Sequence, residues 1–149
     1  ILNYKKIYKL LIMIIDIRYI LLIILLLFFM NRSSQSTVIK TKLVTSPKDI
    51  KTGLMFKKYL NYDEGMLFKF ENGFHSVWMK NTYIPLDVLF LDKEYKVIGY
   101  VEDTIPLSLD TVGIKKPSDY ILEVNSGWIR DNNIQIGNQI NIQIIDQLS

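Results

Sequence analysis

The chain has no cysteine, a single histidine (His75) and only four prolines among its 149 residues. Without Cys there are no disulfides, thiolate zinc sites, iron–sulfur ligands or Cys nucleophiles, and no lipid-modified Cys of a lipoprotein. One His leaves no two-His metal site, and no metal or cofactor is expected. The seven glycines form no Gly-x-Gly-x-x-Gly or phosphate-loop spacing, which removes sequence support for nucleotide binding. A basic stripe is also missing. The net charge is +3, yet the whole excess precedes residue 31, where Lys5, Lys6, Lys9 and Arg18 oppose Asp16 alone. The remainder is neutral, so nucleic acid is not expected as a partner.

Present instead is a hydrophobic fraction of 49%, too high for disorder, in a length that fits one ordinary domain plus an accessory segment. Residues 19–30 (YILLIILLLFFM) carry no charge. Extending the run back to Ile7 takes in Lys9, Asp16 and Arg18, each costing about 2.5–3.5 kcal/mol near a bilayer centre. The uncharged run is short for a span and matches a signal-peptide core. Ser34-Gln35-Ser36 supplies a small-x-small cleavage pattern before Thr37. Were translation to begin at Met13, residues 14–18 would form a short leading region. Residues 1–30 therefore read as a signal peptide or an N-terminal membrane anchor, 31–37 as a polar linker and 38–146 as a β-rich domain. The expected location is outside the cytoplasm, on the periplasmic or extracellular side, secreted or tethered. The membrane is a partner if the segment stays uncleaved.

Within the domain, VIKTKLV (residues 38–44) predicts a strand. Ser46-Pro47-Lys48-Asp49 predicts a helix start, with Ser as N-cap, Pro at the first position and an acid at the third, and the helix ends near Gly53. Strands are expected over 65–70, 76–81, 86–92, 96–101, 120–125 and 139–145. The run Val88-Leu89-Phe90-Leu91 does not alternate, so both faces of its strand should be covered. Residues 103–119 read as a long loop with turns at Pro106, Gly113 and Pro117, and Ser126 as the cap of one helical turn. Ile140, Ile142 and Ile144 share one face of the last strand. Many short strands with little helix predict a mainly β sandwich or barrel.

The segments GLMFK (53–57), DEGMLFKF (63–70), VWMKNTYIPLDVLFLD (77–92), YILEVNSGW (120–128) and IQIGNQINI (134–142) together resemble the domain of unknown function 192 family, also called uncharacterised protein family 0127. The resemblance implies a compact jelly-roll-like β fold with short helices, often behind a signal peptide or membrane segment. It implies no established reaction, substrate or cofactor. The family commonly has Arg where this chain has Lys57, and Lys lacks the bidentate fork for an anionic ligand.

A hairpin between residues 76–81 and 86–92 would place Lys80 opposite Asp87 and Trp78 opposite Leu89. Two roles follow for that arrangement: a register-fixing ion pair, or the mouth of a pocket with Trp78 as an aromatic platform for a sugar or planar ligand. Glu123 and Asn125 share a strand face, either solvated or offering Glu123 as a second carboxylate beside Asp87 for hydrolysis. Met55, Met66 and Met79 adjoin apolar residues and read as core fillers rather than Cu(I) ligands. His75 reads as an exposed residue flanking a turn. The leading expectation is a ligand- or carbohydrate-binding domain with Trp78, Lys80, Asn81, Asp87 and Glu123 at the site. The alternatives are an envelope structural or interaction protein, and a hydrolase using Asp87 and Glu123.

Overall fold

A computed structural model describes residues 3–30 and 38–149 of the chain. The expected polar linker and cleavage pattern, residues 31–37, lie outside the described residues. Contacts cluster into two units, Ile1–Gln35 and Ser36–Ser149. In the first, α1 (Tyr4–Met30) is a single 27-residue helix. Its uncharged C-terminal stretch rises about 18 Å at 1.5 Å per residue, against about 30 Å of bilayer hydrocarbon. Among the described residues, no helix is long and apolar enough to cross a membrane.

The second unit runs β1 (Val38–Val44), α2 (Pro47–Thr52), β2 (Glu64–Gly73), β3 (Ser76–Trp78), β4 (Leu86–Leu91), β5 (Val97–Val101), β6 (Thr111–Gly113), β7 (Ser118–Asn125), α3 (Trp128–Asp131) and β8 (Asn141–Ile145). Six strands form a mixed sheet in the order β5-β4-β7-β2-β1-β8, and β3 pairs with β6 in a separate two-stranded sheet. This is the mainly β, sandwich-like architecture with short helices that the sequence predicts. β1 pairs in parallel with both β2 and β8, and the other ladders are antiparallel. One isolated antiparallel bridge, Lys96 to Gln139, joins the flanks of the two edge strands. No ladder continues from it, so the described strands do not close a barrel.

The two faces of the large sheet carry two cores. Leu89 and Leu91 of β4, Leu67 of β2, and Leu122 and Val124 of β7 point to one face, where Trp128 and Ile129 of α3 and Ile140 cover them. Val88 and Phe90, Met66 and Phe68, and Ile121 point to the other, covered by Leu54, Leu60 and Met79. All six β4 residues are buried, as the unbroken apolar run predicts. α2 begins as expected: Ser46 Oγ accepts from the Asp49 N–H at 3.1 Å, Pro47 opens the helix, and Gly53 ends it at φ 49°.

Four expectations are corrected. β3 does not form a hairpin with β4: Trp78 pairs with Thr111, because residues 79–82 turn tightly, Thr82 N–H to Met79 O, with Asn81 at φ 55°. The loop at 103–119 therefore contains a strand, β6. The cap residue of α3 is Gly127 at φ 85°, and Ser126 Oγ donates to Asp103 Oδ1 instead. Ile140 and Ile142 pack on the core, but Ile144 at the edge of the sheet is half exposed.

β2 and β7 approach closely at Gly65, where an added Cβ would lie 2.8 Å from the Glu123 carbonyl oxygen and 3.0 Å from Val124 Cγ1. Backbone cannot yield as a side-chain tip can, so Gly65→Ala should lower the unfolding free energy by about 1–3 kcal/mol. Gly73→Ala, whose nearest new neighbour is His75 Nε2 at 3.5 Å, should stay within about 0.5 kcal/mol of wild type. Urea unfolding midpoints of the two variants test this.

Candidate functional site

The two carboxylates singled out in the sequence lie on opposite faces of the sheet. Val88 is the register partner of Glu123, and Val124 the partner of Asp87. Paired residues of a ladder share a face and neighbours alternate, so Asp87 points toward α3 and Glu123 away from it. They share no cleft, which removes the hydrolase built on that pair.

Asp87 is completely buried and fully engaged. Its Oδ1 accepts the Asp103 backbone N–H and its Oδ2 the Ile129 backbone N–H, both at 3.0 Å. It therefore ties β4 to the loop after β5 and to the start of α3. Next to it, Thr104 Oγ1 accepts from Leu86 N–H at 3.0 Å and donates to Leu86 O at 2.8 Å. The expected Lys80–Asp87 pairing is thus corrected: Asp87 is held by backbone amides, and Lys80 is exposed, with its Nζ 5.1 Å above the Trp78 ring. Asn81 also serves structure. Its carbonyl accepts the Phe56 N–H at 2.8 Å and its amide reaches Met55 Sδ at 3.9 Å, clipping the turn after α2 against the turn after β3.

That clip builds the wall of a cavity of about 200 Å³ on the Glu123 face of the sheet. Leu54 and Met55 form one side, Val77 and Trp78 of β3 another, and Phe68 and Phe70 of β2 the floor beside Glu123. Trp78 is 38% exposed and stands at the mouth, while Thr82 is buried within the lining. Of the methionines read as core fillers, Met66 and Met79 are buried in the core and Met55 faces this cavity. His75 is half-buried rather than exposed, stacked on Phe70 at 4.4 Å, with Nε2 2.9 Å from Glu71 O.

Glu123 is 7% exposed and lines the cavity, and no hydrogen bond or ion pair engages its carboxyl among the described residues. Its face is therefore buried, not solvated. Burial in this apolar setting pushes the carboxyl up from 4.5 to about 8. Sequence places Trp78 and Glu123 in the candidate set, and the structure brings these two together. It leaves Lys80 and Asn81 at the edge and Asp87 on the other side. Leu54, Met55, Phe68, Phe70 and Thr82 were not singled out as site residues, although each lies in a segment that carries the family resemblance.

Two predictions follow from these environments. Asp87→Asn turns one acceptor into a donor facing an amide and should cost more than about 2 kcal/mol, whereas Lys80→Met should change stability by less than about 0.5 kcal/mol. Chemical denaturation of both variants decides this. For Glu123 the folded state holds its proton up to about pH 8 while the unfolded chain releases it near 4.5. Between those values the folded state binds more protons, so stability falls as pH rises, by on the order of a few kcal/mol, and levels off above the folded value. Glu123→Gln should lose most of that slope and exceed wild type in stability at pH 8. Urea midpoints at pH 5, 6.5 and 8 measure it.

Solved structures with the same fold exist. The chain has a TM-score of 0.65 and 33% identity to a Sinorhizobium meliloti 1021 protein described as a "putative transcription regulator", covering 66% of this chain and 78% of that one. A protein of unknown function from Novosphingobium aromaticivorans DSM 12444 gives a TM-score of 0.64 at 28% identity, over 66% of this chain and 71% of that one. No curated protein matches the chain. The sequence profile of DUF192, described as Uncharacterized ACR, matches residues 29–142, nearly all of the β unit and both carboxylate environments. The chain belongs to the DUF192 family, the domain of unknown function 192 family that its motifs resemble.

Proposed function

We propose that the protein is a small-ligand-binding module whose site is the Glu123 cavity, delivered outside the cytoplasm by its N-terminal segment. One observation carries the binding reading: Glu123, more than nine-tenths buried, lines a cavity and its carboxyl has no partner among the described residues. A carboxyl group held in an apolar setting is costly without a protein partner, and a bound ligand carrying a donor or a positive charge would engage it. The lining favours an apolar or aromatic ligand over a sugar. Its polar side chains are Lys51, Thr52, Ser76, Thr82 and Glu123, set among Leu54, Met55, Phe68, Phe70, Val77 and Trp78, while a sugar needs partners for every buried hydroxyl. Lys80 already covers part of the indole surface that would stack on a sugar ring.

Export is supported by the uncharged residues 19–30, by the basic residues before them and by the neutrality of the rest of the chain. The shortness of the run favours a cleaved segment over a spanning one. A second reading, an interaction surface, draws on exposed Ile105, Leu107 and Leu109, whose loop bonds to Thr82 and Met79 beside the site.

Benzyl alcohol, an uncharged aromatic probe, should raise the unfolding midpoint of the full chain in a concentration-dependent way. The stabilisation should approach about 2.7 kcal/mol at a hundredfold excess over the dissociation constant. Trp78→Ala should remove most of this shift. A wild-type midpoint insensitive to the probe would sink the binding reading and favour the interaction surface.

A further inference from the structure

The cavity group without a partner among the described residues is an acid, and this selects among ligands. Among the described residues, the charged or titratable side chains near it make no hydrogen bond or ion pair with it. Lys51 of α2 stands exposed at the rim, and Lys80 sits over the outer Trp78 ring. His75 stacks on Phe70 and bonds to Glu71 O. Glu64, two residues from Met66 on the same face of β2, accepts from the Ser149 N–H at 3.0 Å and from Ser149 Oγ at 2.8 Å. From β4, the flanking residue is Val88. Among the described residues, no protein cation reaches the Glu123 carboxyl.

Resting on the binding reading above, we propose that the cavity takes a small organic cation, an aromatic or short aliphatic body bearing one protonated amine nitrogen that pairs with the Glu123 carboxylate. Three features fit this ligand. Trp78, Phe68 and Phe70 line the cavity, and aromatic rings attract cations. The volume of about 200 Å³ is somewhat larger than the roughly 150 Å³ that holds benzene in an engineered protein cavity. A buried carboxylate completed by an ammonium gains charge-assisted hydrogen bonds, whereas an anionic ligand there would face a like charge.

Proton balance makes the proposal specific. In the empty cavity burial keeps the carboxyl protonated up to about pH 8. An ammonium that binds displaces that proton to solvent, leaving R–NH₃⁺ against the carboxylate and one H⁺ released per ligand. Apparent affinity should therefore rise about tenfold per pH unit below pH 8. A neutral ligand that accepts a hydrogen bond from the protonated acid shows the opposite preference, losing affinity above pH 8.

Calorimetric titration of the full chain with phenethylamine and with its neutral analogue 2-phenylethanol, at pH 6 and 7.5 in two buffers of different ionisation enthalpy, tests this. We expect phenethylamine to bind about thirtyfold more tightly at pH 7.5, with release of about one proton. Glu123→Gln should weaken it tenfold or more and leave 2-phenylethanol within about threefold of wild type. If 2-phenylethanol binds as well as phenethylamine, or phenethylamine binds more tightly at pH 6, the cation assignment falls and the pocket stands. If neither probe binds, both readings fall. The wild-type pH profile alone decides the matter should the Gln variant not fold.

Discussion

The Asp87 carboxylate holds together three parts of the chain that nothing local would join. It sits near the start of β4, a strand buried on both faces, and accepts one backbone N–H from the loop after β5 and one from the first turn of α3. Hydrogen bonds to a charged acceptor contribute about 1.5–3 kcal/mol each, and a buried carboxylate without them would be intolerable. Because those donors are backbone amides, the clasp fixes the path of the chain rather than the pose of a side chain. α3 is only four residues long and has no cohesion of its own. With Asp87 under its first turn it delivers Trp128 and Ile129 to one core and closes that face of the sheet.

Closing one face leaves chemistry to the other. Asp87 and Glu123 occupy adjacent strands within one register step, yet their environments differ in kind. The first meets two amides at hydrogen-bond distance, and the second meets Val88, Met66 and aromatic rings. Sheet alternation forces this divergence, since a one-residue offset sends neighbouring side chains to opposite faces. A full layer of backbone here separates an acid held by two amides from one that, among the described residues, has no protein partner.

The sequence conveyed local structure well and long-range pairing poorly. The Ser46 cap, the helix end at Gly53 and the two-sided burial of β4 follow from residue types within a few positions, and all three hold. Trp78 fails the same logic, because its strand partner Thr111 lies 33 positions away, and the short strand β6 has no alternation to announce it. The sequence reads as a hairpin turning between residues 81 and 86, but Asn81, at φ 55°, closes the chain back toward Met55 and Phe56 instead. Glu123 shows a different limit. Period-two alternation correctly separates it from Leu122 and Val124, but it says which residues share a face, not whether that face meets water. The element that covers it, from Leu54 to Trp78, is remote in sequence.

Four of the five segments that carry the family resemblance reach these two carboxyl groups; the fifth, IQIGNQINI, packs Ile140 and Ile142 on the core of the α3 face. GLMFK brings Leu54 and Met55 to the cavity, DEGMLFKF brings Phe68 and Phe70, and VWMKNTYIPLD brings Val77, Trp78 and Thr82. YILEVNSGW contributes Glu123 to the cavity and leads into Ile129, whose amide holds Asp87. The same segments supply much of both cores, among them Leu67, Leu89 and Leu122 on one face and Met66, Val88 and Ile121 on the other, so packing and cavity are built from the same stretches of chain. An acid held there with no protein partner among the described residues lowers stability relative to an apolar residue in the same place. Four separate stretches of chain thus enclose one small cavity, and the Glu123 side chain is among its lining.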